Sequence, residues 1–393
     1  MHYDFDTVID RSGTYNDKWD YLKRYYGEDG MLGLWVADMD FACPPCVVDA
    51  VVKRAGHPIY GYTEIDENNS FYDGMISWYE RRHNYHIEKD WIIFASGVIP
   101  AINYAIQAFS DEGDKIVIQE PVYHPFKNSI LSNRRVPLIN ELKYDGEKYV
   151  MDLEDLERKI DEKTKLLILC SPHNPVGRVW TREELTAIGE LALRRNLLVI
   201  ADEIHGDLVL GENEHICFPS ISEEFSNHTI LCNAPTKTFN FPGLQGCSII
   251  IPNADIRAKY EAYLERFHLQ GPTPIWMAAT EAAYLGGETW LEELLEYLRG
   301  NVAFLDEFLK KELPQARLIP PDGTYMCWVD FRGTGLTPDE INDRIIKKAK
   351  VAFNDGAMFG ESGAGFQRVN VACPRSILRE AFERIAAAFK ETK

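Results

Sequence analysis

Three short segments carry residue types that could do chemistry, and each follows an apolar run with the length of a buried strand. Ser171–Arg178 (SPHNPVGR) comes after LLILC, Ala201–Asp207 (ADEIHGD) after LLVI, and Asn233–Gly246 (NAPTKTFNFPGLQG) after TILC. In a sheet of parallel strands, ligands bind at such strand ends. Lys237 is flanked by Pro235, Phe239, Phe241 and Pro242, with little other charge. That setting desolvates an amine and suits it to covalent and proton-transfer work. Asp202 ends an apolar strand, where a carboxylate can pair with a buried cation. Singly these signals are weak: HNP forms turns, an acidic pair after a strand can cap a helix, and a lone loop lysine is usually surface charge.

Order and spacing change that. Asn174 and Asp202 are 28 residues apart, and Asp202 and Lys237 are 35 apart. This arrangement resembles the fold-type I pyridoxal phosphate (PLP) enzymes, the aspartate aminotransferase superfamily. LWVADMDF at 34–41, ASGVIPA at 95–101, PVYHPF at 121–126 and FQRVNVACP at 366–374 extend the likeness to roughly residues 30–390. LWVADMDF and KTFNFPGLQ are most similar to the MalY/PatB-type cystathionine β-lyase (carbon–sulfur lyase) branch of the class I/II aminotransferases.

The resemblance implies PLP as cofactor and assigns roles residue by residue. Lys237 holds the cofactor covalently and moves protons. Asp202 keeps the pyridine nitrogen protonated. Asn174 serves the ring oxygen and lies near the substrate carboxylate, and Tyr123 covers the ring face. Backbone N–H groups at Gly97, Val98 and Ile99, opening a helix, meet the phosphate together with Thr236. Tyr62, in IYGYTE, reaches the phosphate of the other subunit; Tyr60 is close enough to compete for that role. Arg368 binds the substrate carboxylate, with Ala37 and Asp38 on the substrate side.

Three positions depart from the wider superfamily. His205 stands where a tyrosine is frequent, so the protonation of this ring contact is expected to be pH-sensitive. Gln245 replaces an arginine on the phosphate, and Ala234 replaces a hydroxyl residue. The loss of charge at Gln245 shifts weight onto backbone donors and Thr236.

These residues require a scaffold. Strand-like runs at 114–119, 164–170, 197–201, 229–232 and 246–251 alternate with helix-like stretches. The clearest helix is 181–195, where TREEL has a capping-box pattern. The alternation predicts an α/β fold with a mostly parallel sheet between helices. Beyond about residue 255, amphipathic helices are expected over 255–267, 276–285 and 289–312. A strand follows at 325–331, a helix at 337–350, a strand at 366–372 and a helix at 375–390. This tail reads as a smaller α+β domain. By resemblance, 1–50 joins it, 51–288 is the large cofactor domain, and 289–393 is the small domain proper.

Composition narrows the function classes. The chain has 393 residues and a formal charge of −19, which argues against nucleic-acid and anionic-membrane binding. No run approaches the roughly 20 apolar residues of a membrane helix. MHYDFDTVIDR has no apolar core, so no export signal and a cytoplasmic location are expected, with the eight cysteines reduced. Cys43-Pro-Pro-Cys46 lacks a second ligand pair at zinc spacing, so its prolines are expected to start a helix over 47–53, and no metal is expected. His83 and His86 read as solvated. Tyr15, Trp19, Tyr21, Tyr25 and Tyr26 read as packing against a partner or the small domain.

The expected reaction is β-elimination from an L-amino acid bearing sulfur at Cβ. L-Cystathionine leads by resemblance, with thiol, pyruvate and ammonia as products. Lys237, Tyr62 or Tyr123 would protonate the departing thiolate. A PLP-dependent aminotransferase and a PLP-binding regulatory protein with incidental catalysis are the alternatives. The resemblance also implies a homodimer with shared sites.

Overall fold

The computed structural model describes residues 3–63, 70–268 and 271–390. Seven strands build the main sheet: β1 (Ile92–Ala95), β2 (Lys115–Ile118), β3 (Val136–Ile139), β4 (Thr164–Cys170), β5 (Leu198–Asp202), β6 (Thr229–Asn233) and β7 (Cys247–Ile250). Their order is β1-β7-β6-β5-β4-β2-β3. β7 runs opposite to the other six. All five expected runs are strands, with ends shifted by one residue at most. β1 and β3 escaped the sequence reading. Both are four-residue edge strands, and β3 carries Pro137, a residue tolerated at a sheet edge because it cannot donate to a ladder.

The central strands are continuous apolar runs because both faces are covered. Leu167, Leu169, Val199, Ala201 and Leu231 enter one core cluster; Leu166, Ile168, Cys170, Ile200, Ile230 and Cys232 enter the other. The helices that bear on the site are α1 (Pro45–Ala55), α2 (Ser70–His83), α3 (Val98–Phe109), α4 (Arg182–Arg194), α5 (Pro235–Thr238), α6 (Ala254–Glu265), α7 (Pro274–Gly286), α8 (Glu288–Glu312) and α9 (Arg375–Lys390). α3 buries Val98, Ala101, Ile102, Ala105 and Ile106, one face at helical spacing. α4 has the capping box: Thr181 Oγ1 accepts from Glu184 N at 3.2 Å and Glu184 Oε2 from Thr181 N at 2.9 Å. α1 starts at Pro45, as the Pro-Pro pair implied.

A four-stranded antiparallel sheet contains β8 (Arg317–Ile319), β9 (Met326–Asp330), β10 (Asn354–Asp355) and β11 (Phe366–Asn370) in the order β8-β9-β11-β10. The helix expected over 337–350 is split. Pro338–Asp343 is α-helical, Arg344–Lys348 widens into a π turn, and Lys350 reverses the chain at φ +56°. Hydrophobic spacing over so few residues does not separate 3.6 from wider turns. No helix among the described residues is long and apolar enough to cross a membrane.

The N-terminal segment is woven into this C-terminal part. Leu32–Gly33 pairs in parallel with Val351–Ala352, Asn370 N donates to Leu34 O, and Asp40 N donates to Ala372 O. Charges lock it further. Arg11 grips Asp38 through both terminal nitrogens (3.0 and 2.7 Å) and reaches Asp40 at 2.7 Å. Lys18, fully buried, meets Asp40 Oδ2 at 2.7 Å, and Trp19 Nε1 donates to Asp40 Oδ1. The tyrosines divide. Tyr26 OH donates to Phe353 O, and the Tyr25 and Tyr26 rings pack on Trp35, whereas Tyr15 is exposed.

Removing one member of a buried ion network leaves the other charge uncompensated, which costs about 3–5 kcal/mol. Lys18→Ala is therefore expected to lower unfolding stability by about 3 kcal/mol or more in denaturant titration. A loss below about 1 kcal/mol, the value of an exposed pair, would contradict this reading of the N-terminal anchor.

Candidate active site

Parallel strands send their C-terminal ends to one edge of the sheet. Antiparallel β7 brings its leading residues, Gln245 and Gly246, to the same edge. There the chain encloses a cavity of about 460 Å³, open on one side. Seven of the sequence candidates for the cofactor line it: Gly97, Val98, Ile99, Tyr123, Asn174, Asp202 and His205. Thr236 and Lys237 do so too, and Ala37 closes one wall.

Lys237 projects from the single turn α5, which begins with Pro235 straight after β6. Its Nζ donates to Ala37 O at 2.6 Å. Burial pushes its pKa down to about 8; the Asp38 and Asp202 charges resist this and the Arg368 charge adds to it. Asp202 moves the other way, up to about 7. Burial is the main cause and Glu203 contributes, against an N–H donated by Ile204 (3.1 Å) and the attraction of Lys237. Desolvation thus outweighs the mutual attraction of the two groups.

Burial pushes the His205 ring down to about 3, helped by the Lys237 and Arg368 charges, and its Nδ1 has no hydrogen-bond partner. The ring is therefore neutral across ordinary pH, which corrects the expectation of a pH-sensitive contact. Burial likewise raises the Tyr123 phenol, so it stays protonated and able to donate. α3 begins at Val98 with no side-chain cap on its N-terminus, leaving first-turn N–H groups open toward the cavity. Ser96 stands beside them, a lining residue the sequence reading did not pick out.

Arg368, on β11, is buried. It donates to Asn174 Oδ1 (3.2 Å), Asn354 Oδ1 (2.6 Å) and Trp35 O (3.0 Å), and it lies 4.8 Å from the Phe359 ring centroid. All of these partners are neutral, and its Nε has none. The loop bearing Asn174 is fixed through Arg178, which pairs with Glu184 and Asp322 and stacks on Trp180.

The 36–41 segment depends on partners far away in sequence. Asn370 donates to Val36 O and Asp38 O, both at 2.6 Å, and Tyr325 OH donates to Ala37 O at 3.1 Å. Asn240, in the KTFN motif, accepts from Met39 N (2.8 Å) and donates to Met39 O and Phe41 O. Tyr325 and Asn240 were missed in the sequence, although Asn240 lies in a quoted motif. Asp38 was expected on the substrate side, but its carboxylate is gripped by Arg11 and acts on Lys237 through its field.

Tyr62 lies apart from the cavity and is fully exposed in the single chain. Tyr60 is engaged locally: its hydroxyl donates to Ala55 O, and Arg54 lies 5.5 Å from its ring centroid. His86 is exposed, as expected. His83 is buried, with Nε2 3.0 Å from Asp207, which corrects its reading as solvated.

Asn240→Ala removes three hydrogen bonds from the 36–41 segment. It is expected to cost about 1–3 kcal/mol of stability, because buried backbone groups lose their partners. Equilibrium unfolding measures this; an unchanged midpoint would mean the segment is held without Asn240.

Residues 29–385 match the family model described as aminotransferase class I and II. The chain is 41% identical over 385 residues to cystathionine beta-lyase PatB of Bacillus subtilis (strain 168), covering 98% of this chain and 99% of that one. It superposes with a TM-score of 0.96 on cystalysin from Treponema denticola, a structure containing pyridoxal 5′-phosphate, at 35% identity and full coverage of both chains. A PLP-bound C–S lyase from Staphylococcus hominis aligns with a TM-score of 0.92 at 31% identity, covering 100% of this chain and 99% of that one. With this extent of match in sequence and fold, the chain belongs to the class I and II aminotransferase family.

Proposed function

We propose that the protein is a PLP-dependent carbon–sulfur β-lyase, cleaving L-cystathionine or related S-substituted cysteines to a thiol, pyruvate and ammonia. The observation that carries this is three buried ionisable groups with unmatched chemistry: Lys237 and Asp202 line one cavity, and Arg368 is joined to it through Asn174. Lys237 is an amine depressed toward neutrality, Asp202 a carboxylate raised by burial, and Arg368 a cation whose side-chain partners are all neutral. A protonated pyridine nitrogen supplies the charge Asp202 lacks, and an amino-acid carboxylate supplies the one Arg368 lacks. The uncapped start of α3 suits a phosphate. PatB, cystalysin and the staphylococcal enzyme carry names or cofactors that agree with this reading.

When bound, PLP supplies an electron sink that makes the substrate Cα proton acidic and the Cβ–S bond cleavable. The residues do the rest. Arg368 and Asn174 orient the substrate carboxylate. Lys237 would hold the cofactor, and its neutral Nζ would take the substrate Cα proton and return that proton to the departing sulfur. Asp202 would pair with the ring nitrogen and keep it protonated, and Tyr123, whose phenol burial keeps protonated, would cover the ring and be available as a donor. An aminotransferase shares the early steps, and the family model's description keeps it as the second reading. Pyruvate and thiol formed without an added keto acid distinguish the lyase.

The proposal includes a homodimer in which Tyr62 serves the partner's phosphate. Support comes from the full exposure of Tyr62, the local engagement of Tyr60, and Gln245 where a cation is frequent. We also divide the chain into 51–288 and a small domain of 1–50 with 289–393, supported by the pairing of Leu32–Gly33 with Val351–Ala352. The eight cysteines are all free thiols, which fits a reducing cytoplasm.

Incubation with L-cystathionine alone is expected to release pyruvate and thiol. Lys237→Ala should cut turnover by at least about 10²–10⁴-fold, the value of a lost general base. Pyruvate only on addition of a keto acid would favour the aminotransferase. A second expectation follows from the Lys237 pKa of about 8. Only the neutral amine attacks PLP, so recombination of cofactor-free protein with PLP should quicken about tenfold per pH unit up to about 8, then level off. A rate that is flat from pH 6 to 9 would contradict it. Mixing Lys237→Ala with Tyr62→Phe under subunit exchange should restore activity, since a heterodimer then holds one intact site. No recovery from two impaired parents, despite proven exchange, would refute shared sites.

A further inference from the structure

One residue beyond Asp202, the same loop leads into a second buried polar cluster that the proposed reaction does not use. His83 at the end of α2, His215 and Cys217 are all buried, and one ligand atom of each lies within 4.8 Å of the other two. His83 Nε2 is 3.0 Å from Asp207 Oδ1, and His215 Nε2 is 2.9 Å from Glu203 Oε2; these four side chains are at most 3% exposed. The Nδ1 atoms of both histidines have no hydrogen-bond partner. Buried polar atoms normally find partners. His83 Nε2 is likewise without an aligned hydrogen bond despite its closeness to Asp207. Two buried imidazoles with orphaned nitrogens thus lie beside a thiol, with a carboxylate near each ring, a donor set that suits a metal ion.

A cavity of about 630 Å³ is lined by His83, Asp207 and His215, though not by Cys217, and gives an approach to the two imidazoles with room for a water as fourth ligand. Arg81 and Arg82 on its wall are paired with Glu288 and Glu292, so their charge is compensated. Two imidazoles and a thiolate suit borderline-soft ions; calcium and magnesium prefer oxygen.

We propose that His83, His215 and Cys217 form a binding site for a divalent cation of the zinc class, with Asp207 and Glu203 holding the two imidazoles. On binding, the Cys217 S–H bond breaks, sulfur bonds the metal and the proton leaves to solvent; no electron moves. The site braces the catalytic turn. Asp207 also accepts from Thr238 Oγ1 at 2.8 Å and Trp78 Nε1 at 3.0 Å, and Thr238 follows Lys237. The proposal is independent of the reaction proposed above.

The test uses untagged holoenzyme, freed of metal with a chelator and titrated with zinc chloride. One zinc per chain should survive dialysis and raise the thermal midpoint. Crystals soaked in zinc should show an anomalous peak within bonding distance of all three side chains. Cys217→Ser and His215→Gln, folded by circular dichroism, should each bind at least about tenfold more weakly. Zinc at background level, an anomalous peak elsewhere, or unchanged affinity in both variants would overturn the site. The crystal result needs no variant, so it decides the matter even if the substitutions prevent folding.

Discussion

The site depends on keeping one amine out of water. An ammonium buried in protein costs several kcal/mol, so burial lowers the Lys237 pKa to about 8 and makes the neutral amine accessible near physiological pH. Pro235 starts the turn that carries it, and Ala37, 200 residues away in sequence, takes its hydrogen bond. Ala37 is in place only because Tyr325, Asn370 and Asn240 hold the 36–41 backbone, while Arg11 and Lys18 neutralise Asp38 and Asp40 beside it. The N-terminal segment is thus part of the active-site wall, and its Asp38 joins Arg368 and Asp202 in the field that Lys237 feels.

The same logic explains the other buried charges. Asp202 and Arg368 are expensive without counterions, and neither is fully matched within the chain. The fold keeps them because strands and loops on both sides leave no route for relaxation: β5 is paired along its length with β4 and β6, and Arg368 is pinned between Asn174 and Asn354. A ligand that brings a cation to one and an anion to the other releases that cost. Binding and orientation are then one event.

Much of this was legible in the sequence because parallel sheets impose simple rules. Continuous apolar runs such as KLLILC gave the strands, and polar residues at their ends gave Asn174, Asp202 and Lys237. Tyr325 and Asn240 were not legible as supports, because their contacts with Ala37, Met39 and Phe41 join residues 199–288 positions apart. His83 misled for a related reason: charged neighbours on its helix suggested solvent, but the partner that buries it, Asp207, comes from the loop after β5. Asp38 was recognised as important by its motif, yet only the structure shows its carboxylate spent on Arg11.

The central claim is that Asp202 makes the cofactor an electron sink by ion-pairing with the ring nitrogen. Asp202→Asn keeps the shape and removes the charge. Turnover of L-cystathionine by the PLP-loaded variant is the direct measurement. The account predicts retained PLP, held by Lys237 and the phosphate contacts, with turnover lowered by at least about 10²-fold, the scale of a lost catalytic electrostatic contact. PLP bound and turnover near that of the unaltered protein would remove Asp202 from the mechanism and contradict the account.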